Sequence, residues 1–259
     1  MIMQRSVLSA IGLVLAAVLC AQRPAHFEHR NADLVHALEL FDKAKYGAAQ
    51  TELECVTARI SDPHDGTRVE SEFWSALCAV RLFHNDAPLR MLGFIEAHPE
   101  SQHVPAVRLE LFRHYFAQKR WEDCLAWGTK VEPLSLEGKD QEEYYFKRGY
   151  ANFMEDKPDA AMNDFTRVKD GSAGLPGSPG NYVSPATYYS AHINYERGQF
   201  ETALLGFEKL KGDEAFGDVV PHYISEILFL QGKYDQLDAY AKPIVEDPKG
   251  ERRIGEMNR

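Results

Sequence analysis

The chain has 259 residues, 44% of them hydrophobic, and a formal net charge of −10 at pH 7. That is enough apolar material for one elongated domain or two compact ones, and it argues against overall disorder. The acidic balance comes without a lysine- or arginine-rich cluster, which leaves no phosphate-neutralising surface for nucleic acid and no basic face for anionic lipid.

Arg5 precedes an uncharged run from Ser6 to Ala21, dominated by Val, Leu, Ile and Ala and followed at once by Gln22, Arg23 and Pro24. The pattern predicts a cleavable secretory signal over residues 1–21, because this 16-residue run is shorter than the roughly 20 apolar residues a spanning helix wants. Cys20 opens the alternative of a lipid-modified N-terminus, although Ala17, Val18 and Leu19 fit a lipoprotein signal poorly. Residues 22–31 read as a flexible leader. Cleavage after Ala21 leaves Cys55, Cys78 and Cys124, which lie in apolar helical stretches and read as small core residues rather than a disulfide framework. A single Cys55–Cys78 bridge is the alternative left open.

From residue 32 onward, apolar residues recur at intervals of three and four in every segment, so helix follows helix with no strand between. The first pair runs from about Ala32 to Tyr46 and from Gly47 to Ile60, ending in Ser61, Asp62 and Pro63. The second takes Glu70–Phe83 and Ala87–Ala97, the third Pro105–Gln118 and Trp121–Val131, and the fourth Gln141–Met154 and Pro158–Val168. A loop is predicted over Asp170–Ser184, where Gly171, Gly174, Pro176, Gly177, Pro179 and Gly180 exclude regular helix. The fifth pair takes Pro185–Arg197 and Phe200–Leu210, the sixth Val220–Leu230 and Tyr234–Val245, closed by Pro248. Residues 252–259 read as the start of a seventh first helix, so the array is expected to be truncated at its C-terminal end, with docking of this stub as an improvised cap as the alternative.

A spacing recurs within these pairs. Gly149, Ala161 and Phe165 set a small residue, a second small residue twelve positions on and a large apolar one four further, and Ala191, Ala203 and Phe207 repeat it. On these residues, with Tyr195, Gly198, Phe200, Gly232 and Tyr234, the chain resembles a tetratricopeptide repeat (TPR) array. The resemblance implies an all-α fold over residues 32–259, a right-handed α-α superhelix or solenoid of about six helix hairpins. Small residues let the paired helices approach, Gly198 and Gly232 supply a left-handed stop, and the aromatic residue two places later fills the gap between repeats. Aligning Ala49, Ala87, Cys124, Ala161, Ala203 and Leu237 gives steps of 38, 37, 37, 42 and 34, against about 34 in the family consensus. The third unit departs by placing Phe112 and Gly128 where small and large are expected, and the sixth by placing Leu237 at a small position.

No constellation carries a reaction, a cofactor or a metal. His26, Glu28 and His29 lack the rigid frame and extra ligands of a metal site. Asp62, Asp65 and Gly66 open like a calcium loop but continue with Thr67, Arg68 and Val69 in place of oxygen ligands. Neither a phosphate-binding glycine loop nor a nucleophile elbow occurs, so the chain is read as a non-enzyme.

The family resemblance instead selects groove positions on the first helices: Arg113 and Phe116; Phe146, Tyr150 and Phe153; Tyr188, His192 and Tyr195; His222, Glu226 and Phe229. Such an aromatic groove suits a protein or peptide partner. The expectation is an exported interaction scaffold, periplasmic or outer-membrane associated, in a secretion or assembly complex of a bacterial envelope. Two alternatives stand beside it: a lipid-anchored outer-membrane assembly factor, and an accessory repeat module of a longer protein. No nucleic acid or small-molecule substrate is expected, and a membrane only through the signal segment or Cys20.

Overall fold

The structure, a computed structural model, describes residues 25–172 and 182–246. Among them are twelve α-helices, one short 3-10 turn and no strand. In chain order they are α1 (Ala25–Asp42), α2 (Tyr46–Arg59), α3 (Gly66–Arg81), α4 (Ala87–Ala97), α5 (Val104–Ala117) and α6 (Trp121–Gly128). The 3-10 turn Pro133–Ser135 follows, then α7 (Gly138–Met154), α8 (Pro158–Ser172), α9 (Val183–Glu196), α10 (Phe200–Glu208), α11 (Val220–Leu230) and α12 (Tyr234–Val245). They form two compact units, divided within α5 between His114 and Tyr115. The signal segment and residues 247–259 lie outside the described residues, as does most of the predicted loop.

One turn is made six times. After each first helix a single residue enters the left-handed region: Ala44, Phe83, Lys119, Asp156, Gly198 and Gly232, with φ between 54° and 69°. In the fifth hairpin the Gly198 N–H donates to the Tyr195 carbonyl at 2.9 Å and the Gln199 N–H to the Asn194 carbonyl at 2.8 Å. The equivalent pairs recur at the other five turns, from Lys45 N–H to Leu40 carbonyl at 2.8 Å through Lys233 N–H to Leu228 carbonyl at 2.9 Å. These bonds satisfy carbonyls that a helix end otherwise leaves orphaned, and they reverse the chain into the second helix. Only two of the six positions carry the glycine that made the turn readable from sequence.

Close approach of the paired helices follows from the small residues. A Cβ added at Gly149 would lie 2.9 Å from Phe165 Cε1, and one at Gly206 would lie 2.7 Å from Ala191 Cβ. Ala49, Ala161, Ala203, Cys124, Phe165 and Phe207 are fully buried, and Ala87 is 1% exposed. Complete burial of a phenylalanine contributes roughly 1.5–3 kcal/mol, so the large member of the spacing supplies energy that the small ones make accessible. Phe112 is fully buried in the first unit and Gly128 is buried in the second, so the exchanged sizes of the third hairpin expose neither.

Aromatic triads link successive hairpins. Phe41 meets Tyr46 and Trp74 edge-on, with ring centroids 5.1 and 4.9 Å away. Phe116, Trp121 and Tyr150 form a closed triangle at 5.5–5.8 Å. Tyr195 likewise meets Phe200 at 5.9 Å and Tyr223 at 5.5 Å. In each triad two rings, five residues apart, come from one hairpin, and the third comes from the first helix of the next.

Several boundaries differ from the sequence reading. Helix α1 begins at Ala25 and ends at Asp42, so most of the segment read as a flexible leader is helical and Tyr46 opens α2. Helix α3 starts at Gly66 because Asp65 caps it, its Oδ1 accepting from the N–H groups of Thr67 at 2.9 Å and Arg68 at 3.2 Å. This cap, with the Asp62 Oδ1 accepting from the His64 N–H at 2.9 Å, accounts for the acidic spacing that mimics a calcium loop. Helix α6 stops at Gly128, and α8 continues through Asp170 and Gly171 to Ser172. Cys55 is exposed, Cys78 and Cys124 are buried, and all three are free thiols, so the Cys55–Cys78 bridge is not formed. Burial pushes the Cys78 thiol up to about 11 and the Cys124 thiol up to about 12, which makes both poor nucleophiles at neutral pH.

A non-glycine residue held left-handed costs about 1–2 kcal/mol, against about 0.4–1 kcal/mol of unfolded-chain entropy that glycine adds. Ala44→Gly and Lys119→Gly are therefore expected to stabilise the chain by about 0.5–1 kcal/mol each, whereas Gly198→Ala destabilises it by a similar amount. Urea denaturation followed by circular dichroism measures the order of the three.

Candidate partner-binding groove

Within the second unit, the sequence-selected residues lie at i, i+4 and i+7 of each first helix: 146, 150 and 153 on α7, 188, 192 and 195 on α9, and 222, 226 and 229 on α11. That spacing keeps each trio on one helix face. The rings meet across hairpins. Phe116 lies 5.8 Å from Tyr150, Tyr150 lies 5.0 Å from Tyr189, and Phe153 lies 5.3 Å from Tyr189 and 5.8 Å from His192. His192 in turn lies 5.6 Å from Tyr223, which is 5.5 Å from Tyr195. A continuous ladder of half-buried rings thus runs from α5 through α7 and α9 to α11.

Not every selected residue faces outward. Phe146 is 9% exposed and stacks on Tyr182 at 4.9 Å, so it serves as core. Tyr188 stacks on Phe216 at 4.6 Å, and its hydroxyl lies 3.5 Å from that of Tyr223. His222 is exposed and lies 3.7 Å from the half-buried Glu226. Phe229 is outside the ladder and pairs with Tyr234 at 5.9 Å. Arg113 belongs to the first unit, where it donates to Glu110 at 2.9 Å, a carboxylate that also receives Arg81 at 3.0 Å.

Tyr189, Tyr223 and Trp121 are the ladder residues that sequence selection missed. Tyr189 and Tyr223 stand 34 positions apart, the repeat step between the fifth and sixth hairpins, so an aromatic residue in matching register was the available signal. They sit one place beside Tyr188 and His222, at an angle from which a ring reaches the neighbouring hairpin as well as the groove.

The frame beneath α7 is polar. Arg148 donates through Nε to Asp164 Oδ2 at 2.9 Å and through Nη1 to the Tyr144 hydroxyl at 2.7 Å; that hydroxyl donates to the Gly128 carbonyl at 2.9 Å. Asp164 is 3% exposed, and Asn152 also donates to it at 3.4 Å. One network thereby fixes α7 between α6 and α8, and despite its burial the Arg148 guanidinium is held charged above its ordinary range by Asp164 and Tyr144. The ladder is electrically quiet by comparison. Burial, then the neighbouring Tyr150, pushes the Tyr189 phenol up to about 12. Partial burial, then Glu226, does the same for Tyr195.

Among the described residues no group of three or more His, Cys, Asp or Glu side chains is placed to hold a metal ion, and no helix is long and apolar enough to cross a membrane. Stacked helix pairs closed by one repeated turn define an α-α repeat protein. Its likeness is to solved tetratricopeptide repeat structures. One such protein from Parabacteroides merdae matches with a TM-score of 0.56 over 84% of this chain and 79% of its own, at 13% identity. The structure of Pseudomonas aeruginosa pilF matches with a TM-score of 0.56 over 90% of this chain and 98% of its own, at 12% identity. The TPR-like repeats of a Podosopora anserina kinesin light chain match with a TM-score of 0.52 over 70% and 92%, at 14% identity. No protein-family model matches the sequence, and no curated protein matches it. The chain has the TPR fold.

An ordinary tyrosine ionises near pH 10, and neutral phenols at 189 and 195 are favoured by the folded state. Their contribution to stability is complete below about pH 10 and is lost as the pH rises toward 12. Ultraviolet absorbance titration of the folded chain is expected to show late-ionising phenols, one fewer in each of Tyr189→Phe and Tyr195→Phe.

Proposed function

We propose that the chain is a protein-interaction scaffold that grips a peptide or helix of a partner protein along the ring ladder of its second unit, and that it catalyses no reaction. The observation that carries this reading is the continuity of half-buried rings over four successive first helices. Large rings already held by their neighbours offer contact area at little further entropic cost. Tyr195, His192 and Glu226 add polar tips that can orient a bound backbone. The fold, shared with repeat proteins that present such faces, supports the same reading.

The partner is tested by photo-crosslinking. A photoreactive amino acid at Tyr195 or Phe153 is expected to trap one defined polypeptide in the native host, identified by mass spectrometry. The same group at Asn163, exposed on the second helix α8, should trap none. Equal yields from the two faces would remove the groove assignment.

The place of action we propose is the bacterial envelope, within a secretion or assembly complex, on the strength of the uncharged run from Ser6 to Ala21 behind Arg5. Mass spectrometry of the mature chain is expected to find Gln22 as its first residue. An acylated Cys20 would instead make it a lipid-anchored factor, and an intact Met1 would place it elsewhere.

A further inference from the structure

Two hydroxyls in the first unit lack partners. Ser75, in the middle of α3, is 6% exposed and makes no hydrogen bond among the described residues, and the Thr57 Oγ1 of α2 is buried and equally unpaired. Buried polar groups are almost always satisfied, so each such exception asks for a cause. Both residues line a cleft of about 380 Å³ bounded by α2, α3 and α4, a size within the roughly 300–1,000 Å³ of small-molecule sites. These three helices are consecutive, and α1 before them and α5 after them are both described. The cleft is therefore not a place left open for the next helix of the array.

Its walls are apolar and kept apart. Ala58, Ala76 and Phe94 line it, and the Phe94 ring is fixed by Phe73 at 5.8 Å and His98 at 5.1 Å. Gly93, the seventh of eleven residues in α4, lines it as well, and a Cβ there would meet nothing within 4 Å. Glycine inside a helix lowers stability relative to alanine. Gly149 and Gly206 are required by close approach, whereas Gly93 is not. What its missing side chain provides is space in the cleft.

The charge around the cleft is one-sided. Glu54 Oε1 accepts from Arg90 Nη1 at 2.8 Å, and Arg90 Nε donates to Asp86 at 2.7 Å. Glu72 accepts from Arg68 Nε at 2.8 Å and meets His98 Nε2 at 2.7 Å, while Arg68 Nη1 donates to the Ile60 carbonyl at 2.7 Å. Three carboxylates thus stand against two guanidiniums that are both engaged, and Glu54 Oε2 has no partner among the described residues. An anion finds no free cation here. A cation finds an open carboxylate oxygen beside two unmet hydroxyls.

We propose that this cleft, separate from the ring ladder, binds a small organic amine with an apolar body. The protonated amino group carries three donors, enough for Ser75, Thr57 and Glu54, and the body packs on Phe94 in the space above Gly93.

Phenethylamine, phenethyl alcohol and phenylpropionate serve as probes that share a ring and differ in the polar head. Saturation-transfer NMR and titration against the full-length protein are expected to show the amine binding with a dissociation constant of about 1 mM or tighter. The alcohol should bind about tenfold more weakly and the carboxylate not at all. Ser75→Ala should weaken the amine about tenfold and Glu54→Gln about threefold. Gly93→Leu fills the cleft and should abolish binding while raising the urea midpoint, because leucine favours the helix, so that loss cannot be ascribed to unfolding. No saturable binding of the amine, equal binding of the alcohol, or binding that survives Gly93→Leu overturns the proposal. So does a short lysine-bearing alanine peptide that binds tenfold tighter than the free amine and is lost in Gly93→Leu, which would assign the cleft to a polypeptide.

Discussion

Every hairpin depends on one backbone constraint, the residue that turns left-handed after the first helix. The same two hydrogen bonds close all six turns and send the chain back along the first helix, and in the first five hairpins the aligned residue of the second helix, Ala49, Ala87, Cys124, Ala161 or Ala203, arrives where it is buried. The turn tolerates sequence poorly matched to it. Ala44, Phe83 and Lys119 occupy a conformation that costs each of them energy, and they keep it because packing on both sides leaves no alternative. Variation in repeat length is absorbed elsewhere. Three residues separate the paired helices in all hairpins but the second, while the connections between hairpins carry the insertions.

This division explains what was legible in the sequence. The twelve-and-four spacing of Gly149, Ala161 and Phe165 records a contact between two helices of one hairpin, and the structure places Phe165 against Gly149 at the limit of close approach. Gly198 and Gly232 announced their turns, whereas the other four were hidden under residues that no propensity assigns to φ > 0. Helix ends were read less well where local chemistry opposed packing. Gly171 signals a break, yet α8 carries it as its penultimate residue, and the start of α3 is set by the side chain of Asp65 rather than by hydrophobic period.

For the groove, helical spacing identified the correct face but could not divide its rings between two roles. Phe146 and Tyr188 stack inward on Tyr182 and Phe216, partners supplied by segments far along the chain. Tyr189 and Tyr223, one position off the selected line, became the hubs of the ladder. A one-residue displacement rotates a side chain by about 100° around a helix, enough to turn a ring from solvent toward the next hairpin. Periodicity within one helix cannot register that gain, because it exists only when the neighbouring hairpin is stacked.

The same rings therefore hold hairpins together and form the surface offered to a partner. This joins affinity to stability within the second unit. A side chain pressed against the exposed edge of Tyr189 meets a ring whose faces are already fixed by Phe165 at 5.9 Å and Tyr150 at 5.0 Å, so binding orders little that is not ordered beforehand. The Arg148–Asp164 network adds a different constraint beneath it. A buried ion pair contributes little net stability against an apolar alternative, but breaking one partner leaves an uncompensated charge, so α7 is confined to the single register in which Arg148, Tyr144 and Asp164 meet. Apolar seams between helices would tolerate sliding; this anchor does not, and it lies on the helix that carries Tyr150 and Phe153. The position of Tyr150 and Phe153 is thus specified by a polar network on the opposite side of their own helix, which lets the groove surface vary in sequence without moving these two rings.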